Sequence, residues 1–188
     1  ITNMLEKHGV EFGRNVNAYT AQDETVYNIS EVPTTNPGLL DTCLLVLHDW
    51  SHYLLLVDEE IDGERGVISE EWRTRRNAGF RVRNQIMPVL LKDSKYAQRD
   101  VIGDLNIIKN FKYQTLRDYY HKWYRPDLQA IAVVGDFDVD QMEKKVKELF
   151  SKIPTPVNPA KRENFTVNPH DEIYFVCATD KELTQSSV

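Results

Sequence analysis

EIDGERGVISEEW, residues 60–72, carries more carboxylates than a solvent-facing helix needs, and the placement of the rest of the chain turns on how it is read. At 3.6 residues per turn, Glu64 and Glu71 are seven apart and leave one face of a helix, roughly 10 Å from each other along its axis. Ile61 and Ile68 fall on that face too, so the acids share a stripe with side chains that favour burial. A carboxylate in such a stripe is costly unless a cation or hydrogen-bond donors compensate it. Two readings follow. Either Glu64 pairs with a nearby arginine while Glu71 faces water, or one of the acids ligates a metal; spacing alone leaves both open.

The 188 residues suffice for one good core, or for one domain and the opening of another. No run approaches the roughly 18 consecutive apolar residues of a membrane-spanning helix. The opening ITNMLEKHG has neither the basic nor the apolar region of a signal peptide and reads as the last turns of a helix, as expected of a piece cut from a longer chain. A net charge of −6 argues against a general nucleic-acid binder. Arg73, Arg75, Arg76, Arg81 and Arg83 form a local basic cluster that could grip phosphates. It reads first as a helix surface answering the acids just before it. Cys43 and Cys177 stand far apart in apolar stretches and read as buried thiols, with pairing in an exported protein left open.

In chain order, Gly9 is a plausible cap for the first helix. Residues 15–21 and 24–32, rich in Val, Tyr and Thr, predict two antiparallel strands turning at Gln22 and Asp23. Asn36 can cap a well-buried helix over GLLDTCLLVLHDWSHYLL, and Asp58 can cap the acidic helix, whose pattern runs to about Leu91 with Gly79 and Pro88 as weak points. Short helices are expected near Ile107 and over 113–124. LQAIAVVGDF predicts a strong strand, and VDQMEKKVKELFSKI an amphipathic helix with Val139, Met142, Val146, Leu149 and Phe150 inward. Residues 154–170 hold a proline-rich linker, and EIYFVCAT then opens a new strand.

His48 and His52 have a four-residue spacing that can bind zinc, but no glutamate is placed to complete a hydrolytic motif. HGVEF, residues 8–12, imitates the start of H-x-x-E-H; a phenylalanine replaces the final histidine, and Gly9 interrupts the helix it would need. No Ser-His-Asp order, phosphate loop or CxxC pair is present.

Taken together, NVNAYTAQDETVYNIS, EIDGERGVISEEW and YRPDLQAIAVVGDFD, in this order and at these intervals, resemble the pitrilysin/insulinase family of zinc peptidases. The resemblance implies an α+β fold with a mostly antiparallel sheet packed against helices: 1–153 as the C-terminal part of a first peptidase domain, 154–170 as linker, and 171–188 as the first strand of a second homologous domain. It implies zinc as the cofactor of the complete protein, Glu71 as the carboxylate ligand and Glu64 as the supporting acid on the same helix. Asn17, Ala18 and Tyr19 match the edge strand that pairs with an extended peptide substrate. The H-x-x-E-H motif, carrying the two histidine ligands and the general base, is absent and is expected upstream of Ile1. The chain alone is therefore expected to be inactive, a piece of a zinc endopeptidase. The alternative is a non-catalytic family subunit that binds peptides or supports a partner. Partners implied are a peptide and a second homologous domain or subunit, with no nucleic acid and no membrane-spanning segment. Export, for instance to a periplasm, is a further expectation.

Overall fold

The computed structural model describes residues 2–169, 171–173 and 175–183. The elements, in chain order, are α1 (Thr2–Glu6), β1 (Val16–Thr20), β2 (Thr25–Ile29), α2 (Pro37–His52), α3 (Asp58–Thr74), α4 (Ala78–Leu90), α5 (Leu105–Asn110), α6 (Tyr113–Trp123) and α7 (Val139–Phe150). The class is α+β, and among the described residues the sheet is an antiparallel pair, β1 with β2. The chain divides into two compact units, Ile1–Leu56 with Gln114–Ala160 and Val57–Tyr113 with Lys161–Val188.

The first unit holds the larger share of the core. Leu5, Val10, Val16, Leu39, Cys43 and Val46 are buried together, with Ile29, Val32 and Trp50 packed against them. α1 reaches this cluster because Gly9, at φ 81°, closes it with paired bonds from Gly9 N–H to Glu6 O and Val10 N–H to Leu5 O. α2 starts where expected, with Asn36 at its cap and Pro37 in its first turn. Tyr120 of α6 donates its hydroxyl proton to Trp50 O at 2.8 Å, and Arg117 donates twice to Leu56 O, so α6 secures the end of α2. Burial pushes the Tyr120 hydroxyl up to about 12. Leu39 is 2 % exposed, and Leu39→Ala should cost about 2–5 kcal/mol of unfolding free energy, read as a lower midpoint in urea.

The second unit is built on α3. Arg81 of α4 donates to both carboxylate oxygens of Asp180, at 2.7 and 2.8 Å, and to Glu182. Phe165 lies under Lys95 and Arg99 while its carbonyl accepts from the Tyr96 hydroxyl, so 161–183 is fastened to this unit at two places. Arg81 holds the Asp180 carboxyl at about 2, below its ordinary 3.8. A depressed carboxylate stabilises above its unfolded pKa and loses that effect as pH falls through the folded one. Limited proteolysis of 166–183 should accordingly rise between pH 4 and pH 2 and become pH-independent in Arg81→Ala.

Several expectations change. The helix over 60–91 is two helices, α3 and α4: the Asn77 side chain accepts from Phe80 N–H and starts a new helix before Gly79 is reached. Pro88 does not end α4, since it falls in the last turn and removes a single bond there. Residues 129–134 alternate half-buried and exposed as a strand should, and yet no strand among the described residues lies beside them to form a ladder. EIYFVCAT also forms no ladder among the described residues, with Tyr174 and 184–188 of the expected 171–188 strand, and His170 of the linker, outside them. Val139 is 69 % exposed at the first position of α7, although Met142 is buried below it. Cys177 is an exposed free thiol, whereas Cys43 is free and buried.

Candidate functional site

The acidic stretch folds into α3 with Asp58, Glu59 and Glu60 in its first turn and Arg73 in its last, each opposing the nearer end of the helix dipole. Val57, not Asp58, occupies the cap position. Ile61, Arg65, Ile68 and Trp72 recur every three or four residues and turn inward, Ile61 being buried and the others half-buried. Glu64 and Glu71 stand on the rim of that stripe, seven residues apart on one face. Glu64 is exposed. Glu71 is half-buried with its carboxylate ion-paired to Arg75. Glu70 turns outward to Arg73 at 2.9 Å. The basic cluster thus answers the acids as the sequence suggested, and Arg76 stacks on Trp72 at 3.5 Å.

Glu71 is an accessible oxygen donor held by one exposed arginine, the kind of contact that costs at most about 1 kcal/mol to exchange. Its chemistry fits one position around a zinc ion. Among the described residues, no three His, Cys, Asp or Glu side chains form a group that could hold a metal ion.

The segment Asn17, Ala18 and Tyr19 lies in β1, in the other unit. The register pairs Asn17 with Asn28, Ala18 with Tyr27 and Tyr19 with Val26. Ala21 N–H donates to Glu24 O and Ser30 N–H to Asn15 O, which fixes the alternation: residues 15, 17, 19 and 21 turn their main-chain groups toward β2. Ala18 and Thr20 therefore turn theirs to the other edge, where no strand among the described residues lies alongside. Val16 faces that edge as well, but it is engaged by Glu11 O and Gly13 N–H. Asn17 uses its side chain to brace the preceding turn, donating to Gly13 O at 3.0 Å. Tyr19 is exposed.

The histidine pair is structural. His48 Nδ1 donates to Asp49 at 3.0 Å while its ring stacks on Tyr53, and His52 Nδ1 donates to Tyr124 O at 3.1 Å. In HGVEF, α1 has already ended at Glu6, before His8. Sequence reading did not see what Arg65 does: it gathers more polar partners than either acid beside it. An arginine in register with Ile61 and Ile68 was the available signal.

The family model described as Insulinase (Peptidase family M16) matches residues 1–93, and that described as Peptidase M16 inactive domain matches 110–188. The probable zinc protease PqqL of Haemophilus influenzae is 36% identical over 168 residues, which are 89% of this chain and 18% of that protein. The probable zinc protease PqqL of Escherichia coli is 34% identical over 178 residues, 95% of this chain and 19% of its own length. The crystal structure of the first half of the periplasmic protease PqqL from Escherichia coli matches with a TM-score of 0.83 at 34% identity, over 90% of this chain and 36% of that one. The chain thus spans about a fifth of the length of these curated relatives. With matches to this family on both sides of a short gap at 94–109, the chain belongs to the insulinase family, peptidase family M16.

Proposed function

We propose that this chain is part of a zinc-dependent endopeptidase, in which Glu71 is the carboxylate ligand and Glu64 steadies the same helix face. The observation that carries the reading is the helical placement of Glu64 and Glu71, seven residues apart on one side of α3, in a chain whose relatives are named zinc proteases. Zinc, when bound, would supply Lewis acidity to a water and to the scissile carbonyl. Glu71 would contribute one anionic oxygen and a fixed direction; the histidine ligands and the general base would be supplied by other parts of the full-length protein. The free edge of β1 would hold the peptide extended, with Ala18 and Thr20 exchanging main-chain hydrogen bonds with it and Asn17 and Tyr19 keeping the strand in register. The proline-rich 154–170 would lead into a second homologous domain opening at 171–188. Export is supported by the likeness to the periplasmic protease PqqL from Escherichia coli.

Metal stoichiometry is the test. The full-length protein should hold one zinc per chain and the 188-residue chain alone little or none. Tight stoichiometric zinc in the short chain, abolished by Glu71→Ala, would mean that the partner ligands lie within it and that the proposed division is wrong. The match of 110–188 to an inactive-domain model favours a second reading, a non-catalytic subunit that presents peptide or supports a partner. A full-length protein that holds no zinc and cleaves nothing would establish that reading, although it leaves the Glu64 and Glu71 pair without a purpose.

A further inference from the structure

Arg65 lies one residue beyond Glu64 and six before Glu71, and its side chain is only 14% exposed. Every nitrogen of its guanidinium is engaged. Nη1 donates to Ile108 O at 2.5 Å, Nη2 to Phe111 O at 2.6 Å and Nε to Asp62 Oδ1 at 2.9 Å. The Phe111 ring lies under the guanidinium at 3.8 Å and the Tyr113 ring at 5.4 Å. Tyr113 in turn donates its hydroxyl proton to Asp62 Oδ2 at 2.6 Å, which lowers the Asp62 pKa and raises that of Tyr113.

An ordinary Asp-Arg pair three residues apart on a helix would lie in water and contribute a few tenths of a kcal/mol. Here Asp62 stays exposed while Arg65 is turned off the solvent face onto the end of α5, where two carbonyls lack helical partners. A planar fork that satisfies two carbonyls and a carboxylate at once has a single orientation, which the hydroxyl of Tyr113 and the ring of Phe111 fix further. A helix pinned in this way at its middle turn cannot roll about its axis.

Roll matters to a metal ligand. A carboxylate about 6 Å from the helix axis moves by about 0.2 Å for every 2° of rotation, and 0.2 Å is the tolerance of a metal–ligand bond. We propose that Arg65 is a positioning residue: with Asp62 and Tyr113 it locks the rotation of α3 against α5 and thereby sets the direction in which Glu71 meets the metal. This rests on the assignment of Glu71 as ligand made above.

The experiment uses the full-length protein and two readouts, zinc affinity by chelator competition and the electronic spectrum of the cobalt-substituted site. Arg65→Lys keeps the charge and loses the fork; it should weaken zinc on the order of 10-fold and shift the cobalt bands. Tyr113→Phe removes one exposed hydroxyl, leaves the fold intact, and should shift both readouts the same way by less. Unchanged affinity and spectrum in a folded Arg65→Lys would overturn the proposal and leave Arg65 as a cap for α5. If Arg65→Lys fails to fold, Tyr113→Phe decides, and an unchanged result there overturns it equally. Glu71→Ala runs alongside: zinc retained in that variant removes the ligand assignment itself, whatever the Arg65 variants do.

Discussion

Glu71→Gln in the full-length protein is expected to release zinc and to lower kcat/KM on the order of 10³-fold, since several kcal/mol of metal stabilisation are lost at about 1.4 kcal/mol per factor of ten. Glutamine has the shape of glutamate without its charge, so helix α3 should keep its fold and the loss should be one of chemistry. Two neighbours sharpen the result. Glu70→Gln changes an acid one residue away, about 100° around the helix and already paired with Arg73, and should leave metal and activity as they were. Glu64→Gln should keep the metal bound but more weakly, by roughly 10–100-fold, as expected for a group that supports a ligand. If Glu70→Gln strips the metal and Glu71→Gln does not, the helix has been read one residue out of register. Arg75 does not obscure the comparison, because its contact with Glu71 is exposed and worth at most about 1 kcal/mol.

What the sequence made legible was whatever depends on local periodicity. α2, α5, α6 and α7 lie close to their expected positions because apolar residues recur at helical spacing and Asn36 marks the start of α2. The hairpin was legible from Val, Tyr and Thr around a polar turn, and its register then followed from the turn. What failed was set by partners remote in sequence. Residues 129–134 have the composition and alternation of a strand, but a ladder needs a neighbour that no local pattern encodes. Val139 fits the apolar face of α7 by spacing and lies exposed because that face begins only at Met142. The role of Arg65 was not legible for the same reason: its value lies in two carbonyls more than forty residues away. Glu71 was found by resemblance, since periodicity alone left it between a surface ion pair and a metal ligand, and it makes the ion pair with Arg75.

Ala18→Pro is expected to cut peptide hydrolysis by the full-length protein roughly 10–100-fold while leaving its stability nearly unchanged. The reasoning is positional. Ala18 turns its N–H away from β2, so a proline there removes no bond of the hairpin; proline is tolerated in a strand at this kind of edge position. Its φ near −65° still lies within the extended region. The donor it deletes is one that an extended peptide would use, and the peptide carbonyl left unpaired in the docked state carries the desolvation cost. Tyr19→Pro makes the opposite case. Tyr19 turns its N–H toward Val26, so proline there breaks the ladder and should lower the unfolding midpoint before any question of substrate arises. The loss at Ala18 should fall mainly on KM for long peptides and shrink for substrates too short to reach β1. Wild-type cleavage of long peptides by Ala18→Pro would mean that the substrate does not lie along this edge, and the outward main-chain groups of Ala18 and Thr20 would then serve another strand.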